Sequence, residues 1–124
     1  MEAKKLYFMD CHLAGRMYHD ADEVWGELKV GTILRLERDM DNRHDPNAVA
    51  VIYEQKDKKG EMVDEFRIGY IPRGENEALA NFLDMGGTNI FECRICKIDE
   101  EAHPEKQVHL TIKIKRNMNR QKEG

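Results

Sequence analysis

The densest run of chemistry-bearing side chains is Arg38-Asp-Met-Asp-Asn-Arg-His-Asp-Pro-Asn47, which leads directly into Ala-Val-Ala-Val51. Asp, Asn and Pro favour turns, because Asx side chains bond nearby backbone and proline presets φ. A long β-turn therefore accounts for part of the run. It leaves open why Asn42, His44, Asp45 and Asn47 crowd into six positions, with more donors and acceptors than one turn uses. Asp39, Asp41 and Asp45 raise the idea of a metal-dependent nuclease. Such a centre draws its carboxylates from separate elements onto one ion, and these three share a single turn. Cys93-Arg-Ile-Cys96 has the spacing of a zinc pair, but it sits in a strand-like run without Gly or Pro. Residues three apart in a strand face opposite ways, and no second ligand pair follows, so no metal is expected there. His12, His19, Asp20 and Asp22 are a looser set of possible ligands, and Asp20 is better explained as a cap. No phosphate-binding Gly-x-x-x-x-Gly-Lys-Ser/Thr loop and no nucleophile motif occurs, so the chain reads as a non-enzyme without a cofactor.

The elements that position these groups follow from periodicity. Lys4 to Asp10, Thr32 to Arg38, Ala48 to Tyr53, Phe66 to Ile71, Ile90 to Ile98 and Val108 to Lys115 read as strands. The last alternates cleanly, with Val108, Leu110, Ile112 and Ile114 inward. Residues 54–65 are charged and read as an exposed hairpin loop. Asp20 to Leu28 has apolar residues at helical spacing, with Asp20 and Glu23 as a capping pair and Gly26 keeping the helix short. Asn76 to Asp84 is the clearer helix, with Glu75 and Glu77 at its positive end and Gly86 as its stop. Short strands joined by polar turns suggest a small barrel or sandwich, whose closure would remove exposed edges. The expected core comprises Leu34, Leu36, Val49, Val51, Ile68, Val108, Leu110 and Ile112, and the helix is expected to cover one opening.

With these elements in place, the polar run acquires a pattern. Arg38-Asp-x-x-Asn-x-His-Asp-Pro-Asn-Ala-Val-Ala-Val51 resembles the signature of the HIRAN family. Two further pieces match in order. Ala14-Gly15-x-x-Tyr18, followed by Gly31-x-x-Leu34-x-Leu36, lies upstream, and Ile68-Gly-Tyr-Ile-Pro-Arg73 lies downstream. The resemblance spans roughly residues 6–115. It implies a mainly β fold: a small closed OB-like or SH3-like barrel of about six strands with one or two short helices. It also implies a pocket for the 3′-hydroxyl end of single-stranded DNA, in repair or fork processing, with a helicase or nuclease as partner.

Residue by residue, the resemblance implies that Tyr18 stacks on a terminal base and that His44 supports the base's other face. Asp45 accepts a hydrogen bond from the terminal hydroxyl, and Asn42 lies beside it. Tyr70 and Arg73 face this loop, with Arg73 able to reach a phosphate. Where DNA-binding members carry Arg before the stacking Tyr, this chain has Met17, with Arg16 one place earlier. Where they carry a second Tyr, it has His19.

Length, charge and cysteine count bound the reading. A chain of 124 residues suits one domain, taken as 1–116, followed by a polar tail at 117–124. Net charge is −4, unlike a strongly basic nucleic-acid binder. Segment 113–124 holds five Lys or Arg and a single acid, which leaves the rest more acidic still. The alternative is therefore a protein-interaction module that keeps the fold without binding DNA. Three cysteines make no full disulfide set, and no apolar stretch suits a membrane span or signal peptide, so a cytoplasmic protein is expected.

Overall fold

The computed structural model describes residues 5–115. Six strands form one antiparallel sheet: β1 (Lys5–His12), β2 (Ile33–Arg38), β3 (Val49–Lys56), β4 (Met62–Tyr70), β5 (Phe91–Ile98) and β6 (Val108–Lys115). Their order is β1-β6-β5-β2-β3-β4, with a single α-helix, α1 (Glu77–Asp84), among the described residues. The expected tail at 117–124 lies outside the described residues.

Alternation puts the core where the sequence pattern placed it. Leu34, Val49, Val51, Ile68, Val108, Leu110 and Ile112 are buried, and Leu36 packs half-buried against them. Ala50 and Ile52 on the other face of β3 are buried too, so this inner strand is covered on both faces. Helix α1 adds Leu79, Ala80 and Leu83 to this core. Its Phe82 meets Phe8 of β1 and Phe91 of β5 edge-on, with ring centroids 6.0 Å apart in each pair. The helix ends as expected: Gly86 is left-handed (φ +95°), and its N–H bonds to the Leu83 carbonyl at 3.1 Å.

Three expectations need correction. The sheet is not a barrel closed by strand pairing, because β1 and β4 remain its edges. Among the described residues they are tied at a single bridge, two residues past the end of β1, where Ala14 and Tyr70 exchange backbone hydrogen bonds of 2.8 Å. Away from that point β4 runs out with β3 as a two-stranded arm, whose outer residues have, among the described residues, no strand partner but each other. The hairpin loop is much shorter than 54–65, since β3 continues to Lys56 and β4 begins at Met62. Cross-strand pairs Glu54–Glu65 and Gln55–Asp64 are strand, braced by Arg35 at 2.5 Å from Glu54 and 3.0 Å from Glu65. Finally, residues 20–28 form two 3₁₀ turns, Asp20–Glu23 and Trp25–Glu27, broken at Val24. No side-chain cap is made at the first, so the Asp20–Glu23 capping pair is absent.

Candidate functional site

The fold brings the three sequence motifs to one place. Ala14 bridges Tyr70, and Tyr70 pairs with Ala50 in the β3–β4 ladder. The long loop before β3 is anchored there by Asp39 N–H to the Ala48 carbonyl, 3.0 Å. Segments 14–19, 38–50 and 68–73 therefore meet at the one point where the sheet's two edges touch.

At the meeting point lies a hydrogen-bonded cluster. Tyr70 OH donates to Asp39 Oδ2 at 2.5 Å and accepts from Arg67 Nη1 at 2.9 Å. Arg67 is also 3.6 Å from Asp39. The Tyr70 bond, more than the arginine's charge, holds the Asp39 carboxyl below its usual range. Burial, then the bond to Asp39, raises the Tyr70 phenol. His19 packs on Tyr70 with ring centroids 5.1 Å apart, and its pKa is lowered by burial first and by the charge of Arg67 second.

Asn42 links this cluster to the rest of the loop. Its Nδ2 donates to Asp39 at 3.5 Å, while its Oδ1 accepts the backbone N–H groups of His44 and Asp45 at 2.9 and 3.0 Å. This is the Asx geometry that lets asparagine stand in for backbone in a turn. Asp45 is fixed in turn: Oδ1 accepts Asn47 N–H at 2.9 Å and Oδ2 accepts Asn76 Nδ2 at 2.8 Å. Asn76, at the start of α1, is the one buried polar side chain among the described residues.

The expected site residues thus fall into two groups. His19, Asn42, Asp45 and Tyr70 are drawn into a connected network. Met17 and Tyr18 stand exposed on the Arg16–Tyr18 turn, Tyr18 with 79 % of its surface open. His44 and Arg73 are exposed on their loops, without a hydrogen bond from their side chains to the cluster among the described residues. The turn carrying Tyr18 is set by Gly15, whose φ of +72° suits glycine and whose N–H is held by both oxygens of Glu105, at 3.0 and 2.9 Å.

Sequence reasoning missed Asp39 as a Tyr70 partner, Arg67, Asn76 and Glu105. Asp39, Asn76 and Glu105 reach their partners across at least 31 residues of chain, and Arg67, though only three residues from Tyr70, lies outside every motif. Arg16, one place before the position where DNA-binding members carry Arg, is occupied within its own loop. Its guanidinium lies 3.8 Å over the Trp25 ring and pairs with Asp22 at 2.9 Å. Cys93 is buried and Cys96 exposed, so the pair does face apart, with a β-bulge at Cys96. Among the described residues no three His, Cys, Asp or Glu side chains are grouped to hold a metal ion. A concavity of about 630 Å³ lies elsewhere, between β2 and the turn after α1, lined by Arg35, Tyr53, Leu83 and Phe91 among others.

A small antiparallel β module, with its aromatic and polar side chains gathered where the loops meet, is the class these features define. The HIRAN domain model matches residues 6–116. The chain belongs to the HIRAN domain family. It is 32 % identical over 108 residues to a Fanconi-associated nuclease 1 homolog of rice (Oryza sativa subsp. japonica), covering 86 % of this chain and 10 % of that protein. The chain therefore spans about a tenth of the length of that curated relative. A crystal structure of a Lactobacillus plantarum protein matches with TM-score 0.68 at 21 % identity, over 89 % of this chain and 94 % of the other. The HIRAN domain of human HLTF matches with TM-score 0.60 at 17 % identity, over 98 % and 88 % respectively. These two likenesses establish the fold.

Proposed function

We propose that this domain is a non-catalytic nucleic-acid-binding module that captures the 3′-hydroxyl end of single-stranded DNA in repair or fork processing, beside a helicase or nuclease. The observation that carries the reading is the convergence of the three family motifs at the Ala14–Tyr70 bridge. Tyr18 offers an open aromatic face, and stacking contributes about 1–3 kcal/mol per base whatever the base. Each oxygen of Asp45 has one internal donor, and a carboxylate oxygen accepts two, so the group is both fixed and able to take a hydroxyl. A 3′-phosphate would place an anion against it and remove the donated proton. His44, Asn42 and Arg73 complete the contacts as supporting face, loop staple and outer cation. The free cysteines fit a reducing, cytoplasmic setting. No helix among the described residues is long and apolar enough to cross a membrane.

Fluorescence anisotropy with a short labelled single strand tests this. A free 3′-hydroxyl should bind roughly tenfold or more tightly than a 3′-phosphate, the usual effect of one charge-assisted hydrogen bond. Asp45→Ala should erase the difference, and Tyr18→Ala should weaken both. A net charge of −4, with Arg16 held by Trp25 and Asp22, favours a second reading: an interaction module without DNA binding. No binding at low salt to either oligonucleotide would establish that reading instead.

A further inference from the structure

We propose that Arg67 is the residue that grips a backbone phosphate of the bound strand, and that Asp39 is a built-in counter-ion which this phosphate displaces. The inference rests on the single-strand reading above and names a contact within that site. Arg67 lies on the outer edge strand β4, three residues before Tyr70. Its guanidinium is aimed by the 2.9 Å bond from Nη1 to Tyr70 OH and lies 5.6 Å from the Tyr70 ring. It therefore stands beside the His19–Tyr70 pair, whose rings pack at a tilt of 56°, on the path we assign to a strand leaving Tyr18.

Two of the neighbouring arginines are committed elsewhere. Arg16 is stacked and paired, and its side chain is 11 % exposed. Arg38 bonds Asp84 and the carbonyls of Ala48 and Pro46, and its side chain is 12 % exposed. Arg43 and Arg73 are exposed, with no hydrogen bond to hold their direction among the described residues. Arg67 combines both properties a phosphate site requires. It is 42 % exposed, and one bond orients it while the rest of its five donors stay available.

Asp39 makes the exchange inexpensive. At 3.6 Å it neutralises Arg67 without a bidentate contact, and its Oδ2 already holds the Tyr70 hydroxyl. When a phosphate arrives, Asp39 keeps that hydroxyl and loses only the looser contact. A phosphate can meet the guanidinium through two parallel hydrogen bonds, which a carboxylate at this offset does not.

The test uses an eight-nucleotide single strand with a free 3′-hydroxyl, in which each phosphodiester is replaced in turn by a neutral methylphosphonate. Anisotropy is read for the wild type, Arg67→Gln, Arg67→Lys and Asp39→Asn, with thermal melts to confirm folding. At one linkage, neutralisation should cost the wild type about tenfold and cost Arg67→Gln nothing further. Arg67→Gln should lower the salt slope by about one, Arg67→Lys should recover part of the affinity, and Asp39→Asn should bind several-fold more tightly. If the losses from Arg67→Gln and from every methylphosphonate simply multiply, Arg67 acts by steadying Tyr70 and the inference is overturned. Arg67→Gln binding like the wild type overturns it too, with the end-binding reading intact. Wild type that binds no strand removes both, a result visible before any variant is made.

Discussion

Replacing Gly69 with alanine tests whether the meeting point of the two sheet edges is as tight as its geometry indicates. A Cβ at Gly69 would lie 2.5 Å from the Ala14 carbonyl oxygen and 2.7 and 2.9 Å from Cδ1 and Cγ of Leu13. Leu13 is fully buried and cannot swing aside into solvent. The Ala14 carbonyl cannot retreat without stretching its 2.8 Å bond from Tyr70 N–H. Overpacking of this kind costs about 1–3 kcal/mol, and each bridge hydrogen bond lost adds roughly 0.5–1.5. The expected destabilisation is about 2–4 kcal/mol, a large share of the roughly 5–15 kcal/mol that holds a domain folded. At roughly 3–5 °C per kcal/mol for a chain of this size, the melting midpoint should fall by about 6–20 °C. Urea titration should show a lower midpoint at unchanged slope. Gly26, where nothing lies within 4 Å of an added Cβ, is the matched control, and Gly26→Ala should be neutral or slightly stabilising. A Gly69→Ala protein within about 0.5 kcal/mol of wild type, outside the range these terms allow, would refute the argument.

Two further outcomes follow from single groups. Glu92 is held at about 2, below its ordinary 4.5, chiefly by the hydrogen bond from Arg94 and then by Lys5. Its contribution is therefore complete above pH 4.5 and is lost as the pH falls toward 2, so acid titration of Glu92→Gln should lack that part of the wild-type decline. Burial raises the thiols of Cys11, to about 12, and of Cys93, whereas Cys96 is exposed. An aromatic disulfide reagent at pH 8 should titrate one thiol per native chain and three after unfolding, and Cys96→Ser should abolish the native reaction.

β5 and β6 were legible because each buries one side chain in two, β6 without interruption from Val108 to Ile112, and β3 because its apolar run Val49–Ile52 is buried on both faces. The outer half of the β3–β4 arm was not, because beyond Tyr53 and Phe66 it is mostly charged and polar. Charge pairs such as Glu54 and Glu65 around Arg35 carry no hydrophobic alternation, so a ladder of paired charges reads as a loop. The 20–28 segment has the apolar spacing of a helix, yet Gly26 and the break at Val24 leave only tight turns. Closure was inferred from the general cost of exposed edges, and the chain meets that cost with a single bridge. In the candidate site, the motifs marked three segments, and the fold brings them together. Nothing in sequence spacing could reveal that Tyr70 would bond Asp39, thirty-one residues away, or that Asn76 would reach Asp45 across a similar span. Such pairings depend on strand order, which side-chain patterning leaves undetermined.

The stacking of Arg16 on Trp25 has an optical consequence. The chain has a single tryptophan, so its near-ultraviolet emission comes from one address. That indole lies under a guanidinium 3.8 Å away, whose other end is tied to Asp22, on the same loop that carries Tyr18 and His19. Anything that shifts the loop alters the charge above the ring and with it the colour and yield of the emitted light. The protein thus carries its own unlabelled dye within a few residues of the surface on which a strand end would rest.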